Sequence, residues 1–168
     1  MSFDIFFMLC RFGDRPVERK NRSTGETQSV IPNEPLTAEE LKAVQEVLDK
    51  ATVHGPNDFG CYIVRAKDGG ETEVFASDLG HGCMVALRGI TPGILEFLVD
   101  LLKVGNWCMV PPMEDNIAIV PSLRAVRSIP DDFPRIVVCD SGEELGALLS
   151  GGFCAWKKYR DQVVGDGA

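Results

Sequence analysis

The opening stretch constrains the fold more than any other. In MSFDIFFMLC, Phe3, Ile5, Phe7 and Leu9 alternate with Asp4, Phe6 and Met8, so one strand carries apolar side chains on both faces. A strand of that kind belongs inside a sheet, with a covering layer on each side. A chain of 168 residues can supply such layers as one domain. At this length folding removes roughly 70% of the unfolded chain's surface from water, and no disulfide or metal staple is required.

The remaining elements follow from periodicity and punctuation. Residues 11–35 are polar and carry Pro16, Pro32 and Pro35, with turn chemistry at Asn21–Gly25, so 17–31 can form a hairpin arm. Thr37 and Glu40 form a capping box before Leu41, Val44, Val47, Leu48 and Ala51, which predicts a helix that runs to Gly55 and Pro56. Strands are expected at 61–66 and 72–76, joined by Asp68, Gly69 and Gly70, and again at 83–88. Thr91 and Pro92 open a second helix whose polar residues, Glu96, Asp100 and Lys103, fall within about 60° of arc. That helix is expected to be buried almost all round. Strands at 107–110, 117–120 and 135–139 follow, with 121–134 as an irregular connection. Ser141 and Glu144 cap a third helix that Gly151 and Gly152 break, and a fourth carries Phe153, Trp156, Tyr159 and Val163. Residues 165–168 read as a flexible tail.

Strands come in runs and do not alternate with helices. The expected fold is therefore α+β, with a mixed or antiparallel sheet and about four helices in a single domain over 1–168. The expected core includes Phe3, Ile5, Phe7, Leu41, Val44, Leu48, Ile94, Leu98, Leu101, Val137, Leu148 and Trp156.

Charge narrows the partners. Seventeen basic residues against 25 acidic ones give a net −8. Nucleic acid and anionic membrane both demand a cationic footprint, so neither is expected as a partner. The charge is uneven: Arg11, Arg15, Arg19, Lys20 and Arg22 against Asp14 and Glu18 make residues 11–22 a local +3, leaving −11 for the remainder. The opening ten residues lack a basic start, and no run reaches the roughly 18 apolar residues a spanning helix needs, so the expected location is cytoplasmic. In that compartment Cys10, Cys61, Cys83, Cys108, Cys139 and Cys154 are expected as reduced thiols.

Three sets of residues have chemistry to offer. Imidazole and thiolate are zinc ligands, so Asp78, His81 and Cys83 form one set. A closed site needs four ligands, and the chain has two histidines and no C-x-x-C, so no metal or other cofactor is expected. The plainer reading is a turn, since Gly80 and Gly82 flank His81. The second set is a cysteine nucleophile with a base: Cys61 with His54 and Asp58, or Cys139 at a helix start. His54 is expected at a helix C-terminus, where a cation is stabilised in any case, and Asp140, Glu143 and Glu144 crowd Cys139 with negative charge. The third set is paired carboxylates, Glu114–Asp115 and Asp131–Asp132, which turns attract for their own reasons. Phosphate-binding glycine loops and the G-x-S-x-G elbow are absent from the sequence.

The segments MSFDIFF, DGGETEVFASDLGHGCMVALRGITP and VVCDSGEELGALLSGGFCAWKKYRDQVV resemble parts of small bacterial proteins with no assigned activity, a likeness touching about half of the chain. It implies no functional residues. In size, charge and architecture the chain is also similar to small acidic immunity-type proteins, which bind and silence a partner enzyme. The expectation is thus a non-enzymatic protein-binding module, immunity-like or regulatory, with a protein partner, and with the arm as either a homodimer contact or a solvated hairpin on a monomer. The alternative is a small hydrolase or transferase using His54 or His81 with a nearby Cys or Asp.

Overall fold

A computed structural model describes residues 2–13, 15–113, 117–126 and 135–165. The carboxylate pairs at 114–115 and 131–132, Asp14 and residues 166–168 of the expected tail lie outside them, as do the side chains of Tyr159 and Val163.

Among the described residues, ten strands and four helices follow one another as β1 (Phe3–Leu9), β2 (Val17–Lys20), β3 (Thr27–Val30), α1 (Ala38–Ala51), β4 (Thr52–His54), β5 (Cys61–Arg65), β6 (Glu71–Phe75), β7 (Gly82–Leu87), α2 (Pro92–Val104), β8 (Trp107–Val110), β9 (Ile117–Val120), α3 (Leu123–Val126), β10 (Arg135–Val138) and α4 (Gly142–Gly165). Eight strands form one sheet in the order β10-β9-β8-β1-β7-β6-β5-β4, and β2 pairs with β3 alone. All pairings in the large sheet are antiparallel except β10 on β9. The fold is α+β.

The strand β1 is central, flanked by β7 and β8. Its residues Phe3, Ile5, Phe7 and Leu9 are buried, and they pack with α1, α2 and α4 in the main core. Phe3 meets Phe153 and Trp156 of α4 edge-on, and Phe7 meets Trp107 of β8 in the same way. Period-2 alternation then sends Phe6 and Met8 to the other face, where they are 47% and 44% exposed. The expectation of a covering layer on both sides is therefore corrected: the three long helices all pack on one face. The short helix α3 tucks Ala125 against Cys108, Ala118, Val120 and Cys10 as a small second cluster at the β8–β9 end.

As expected for α2, its N-cap Thr91 accepts from the Ile94 amide, Pro92 sits in its first turn, and Ile94, Leu95, Phe97, Leu98, Val99, Leu101 and Leu102 are buried. Asp68 ties this helix to the β5–β6 turn by accepting from the amides of Gly70 (3.0 Å) and Gly93 (2.7 Å) and from the Thr91 hydroxyl. The capping box of Thr37 and Glu40 is present at α1. The helix stops at Ala51, short of Gly55, because Thr52 and His54 pair with β5. In the core set, Leu41 is corrected to a surface position at 38% exposure, one turn from the buried Val44 and two from Leu48. Val137, Leu148 and Trp156 are half-buried, and Leu149 takes the inward place beside Leu148.

Gly151 and Gly152 do not break the last helix, and α4 runs unbroken through both. Glycine costs a helix interior only about 1 kcal/mol relative to alanine. Leu145, Leu149, Phe153 and Trp156 keep one helical stripe against the core on either side of the pair, which outweighs that cost.

Candidate functional site: the uncovered face of the sheet

The cysteine, histidine and aspartate candidates are dispersed. His81 Nδ1 lies 2.9 Å from Asp78 Oδ2, and both side chains are exposed. Asp78 also accepts from the Gly80 amide at 2.9 Å. His81 and this amide hold its carboxyl below the usual range. Cys83 is two residues on but stands on the helix-covered face, opposite Phe7, where burial pushes its thiol up to about 12. A thiol so protonated is no nucleophile at neutral pH. The intervening Gly82 has φ of +134°, and a Cβ there would collide with the Phe7 carbonyl oxygen. The imidazole is thus exposed while the thiol is buried beneath the helices.

The first members of the second set lie along the β4–β5 connection. His54 is on the short edge strand β4 opposite Ile63, exposed, which corrects its expected place at a helix end. Asp58 is exposed in the β4–β5 loop, and Cys61 is half-buried at the start of β5. Burial and the Glu73 carboxylate push the Cys61 thiol up. Cys139 is fully buried, and burial followed by Glu144 and Asp140 raises it. Among the described residues no three His, Cys, Asp or Glu side chains converge as a metal site would require. A groove of about 530 Å³ between α1, α2 and the end of β5 is lined by Val47, Lys50, Arg65, Lys67, Phe97 and Asp100 among others, and by none of the six candidates His54, Asp58, Cys61, Asp78, His81 and Cys83.

What the fold does assemble is apolar. On the uncovered face Cys61 stands opposite Phe75, Phe75 opposite Met84, Met84 opposite Phe6, and Phe6 opposite Val110. Directly paired residues project from the same side of a sheet, so these five make one row across five strands. The row spans four inter-strand spacings, about 19 Å. Beside it, Gly82 and Met8 extend the face on β7 and β1, while Cys108 of β8, opposite Met8, is buried against α3. The polar residues of the same face are satisfied among themselves: Arg65 pairs with Glu71, and Arg88 with Glu73.

Phe59 stands near one end of the row, two residues before Cys61, and is 85% exposed. Asn57 Oδ1 accepts from the amides of Phe59 and Cys61, both at 3.0 Å, so the loop is held while its aromatic ring points into water. Neither Phe6, Met8 nor Phe59 was legible as exposed from the sequence. A strand with two apolar faces looks the same whether one face or both are covered.

The β2–β3 hairpin forms in register from Val17↔Val30 to Lys20↔Thr27, and nearly all of it is exposed. Its root is anchored by Arg11, which pairs with both oxygens of Glu40 at 3.0 and 2.7 Å. No described helix is long and apolar enough to cross a membrane. Compared with family models, curated proteins and solved structures, the chain matches none.

Proposed function

We propose that this chain is a non-enzymatic protein-binding module, immunity-like or regulatory in kind, which receives a protein partner on the uncovered face of its sheet. The observation that carries this reading is the Cys61–Phe75–Met84–Phe6–Val110 row. Monomeric proteins seldom leave a contiguous apolar strip on their surface without a use for it. A strip with an apolar centre, charged pairs at its border and an aromatic residue held out at one end has the composition of a protein interface. The cytoplasm suits the six cysteines, none of which is bonded to another.

A photo-cross-linker placed at Phe6 tests this in native lysate, with the same group at Lys42 on the solvent side of α1 as control. A discrete adduct at Phe6, absent at Lys42 and competed by excess unlabelled chain but not by the Phe6→Lys variant, is the expected result. Labelling by solvent alone at both positions would remove the reading.

The second reading is a small hydrolase or transferase, for which the Asp78–His81 pair is the favouring observation. A carboxylate beside an imidazole can orient a general base. Cys83, the thiol nearest to it in sequence, is buried on the helix-covered face opposite Phe7. A turnover lost in His81→Ala but kept in Phe6→Lys would favour it.

A further inference from the structure

We infer that the partner on the uncovered face is the β2–β3 hairpin of a second copy of this chain, exchanged reciprocally about a two-fold axis. The inference deepens the proposed function and rests on its reading of that face as a binding surface.

Four observations converge on this occupant. The first is need. A two-stranded hairpin is marginal in water by itself, and this one is ordered while exposed along almost its whole length. The second is charge. Arg11 is spent on Glu40 of its own chain, whereas Arg15, Arg19, Lys20 and Arg22 form no ion pair among the described residues. They belong to a +3 segment, and the remainder of each chain carries −11. Such an arm is attracted to a second body as well as to its own.

The third observation is length. The paired strands of the hairpin are four residues each, about 13 Å at 3.3 Å per residue, and the 21–26 turn extends them toward the roughly 19 Å of the apolar row. One copy's arm laid along the row would cross the sheet's strands near a right angle, one of the two ways in which β-layers pack. The arm face that carries the Val17–Val30 pair, with the exposed Ile31 beside it, would meet Phe6 and Met84. The fourth is continuity. Phe12 at the arm's root is exposed, bridges to Asn33, and lies four residues beyond Met8, past the end of β1 at Leu9. The arm and the face that would receive its counterpart are therefore adjacent on one molecule. A two-fold contact requires this, because each copy must give and receive at one interface.

Light scattering on the full chain and two variants tests the exchange. One variant lacks residues 15–30, replaced by a short glycine linker, and keeps the face. The other carries Phe6→Lys and Met8→Lys and keeps the arm. Both changes fall on exposed segments, and circular dichroism confirms that each variant is folded. The full chain is expected at twice its 18.4 kDa mass and each variant alone at its own monomer mass. An equimolar mixture of the two variants should restore a dimer, since one arm and one face remain available. A full chain that is monomeric at high micromolar concentration overturns the inference, as does a dimer that survives arm deletion or a mixture that stays monomeric. The Phe6 cross-link separates the two proposals. A link to the 15–30 peptide of a second copy supports both, and a link to another protein overturns the exchange while sustaining the binding face. No protein link removes both.

Discussion

Phe6 of β1 and Met84 of β7 stand opposite each other on the uncovered side of the sheet, while their neighbours Phe7 and Cys83 stand opposite each other beneath the helices. One register thus carries an exposed Phe6 beside a half-buried Met84 on one face and a fully packed apolar pair on the other, a single residue apart.

The two phenylalanines should respond very differently to truncation. Phe7→Ala leaves a cavity beside Trp107 and should cost about 3–5 kcal/mol. Phe6→Ala, at a half-exposed position, should cost less than about 1 kcal/mol in the isolated monomer. Urea unfolding of the arm-deleted chain measures both without interference from association. Equal losses would mean that the face is covered from within the chain.

Within α4, Gly151→Ala should stabilise the protein by about 0.5–1 kcal/mol. A methyl group there meets nothing within 4 Å, and the helix is continuous through this point. At Gly152 the new Cβ would lie 2.7 Å from Met113 Cγ, so the same substitution should gain less or nothing. Thermal midpoints of the two variants decide, and a destabilised Gly151→Ala would show that the helix is broken there in solution.

Asp68 should set part of the acid response. The Gly93 and Gly70 amides, followed by the Thr91 hydroxyl, hold its carboxyl below the usual range. A value lowered in the folded state stabilises the fold fully above the unfolded pKa, about 3.9, and loses that effect as pH falls through the folded value. Asp68→Asn should therefore be less stable than the parent at pH 7, and the gap should close as the solution is made more acidic. Denaturation midpoints against pH measure this, and a gap independent of pH would exclude the carboxylate as its source.

The six thiols should divide by accessibility. Cys154 is exposed on α4 and should react first with a thiol reagent, Cys61 is half-buried, and the others are buried. Cys83, pushed up to about 12, should be among the slowest. Cys108 is raised as well, first by the thiol of Cys10 and then by burial. Native labelling should show one fast thiol, lost in Cys154→Ser, and denaturant should reveal six. A count of four in denaturant without reductant would establish a disulfide.

Sequence periodicity by itself determined the elements and their inward faces where one face was unambiguous. The alternation in β1 placed Phe3, Ile5 and Phe7, and the narrow polar stripe of α2 oriented that helix, because burial of an apolar set depends only on spacing along the chain. Caps at Thr37 and Thr91 were equally local, since donor and acceptor lie three residues apart. Three things were decided only by tertiary structure. One was the fate of Phe6 and Met8, which depended on how many helices reached the second face and not on their own spacing. Another was the continuity of α4 across two glycines, where packing at Leu149 and Phe153 outweighed propensity. The last was the apolar row, which gathers single residues from β5, β6, β7, β1 and β8 that the chain keeps up to about a hundred positions apart. Strand register brings them together, and register is a property of paired strands that no single segment carries.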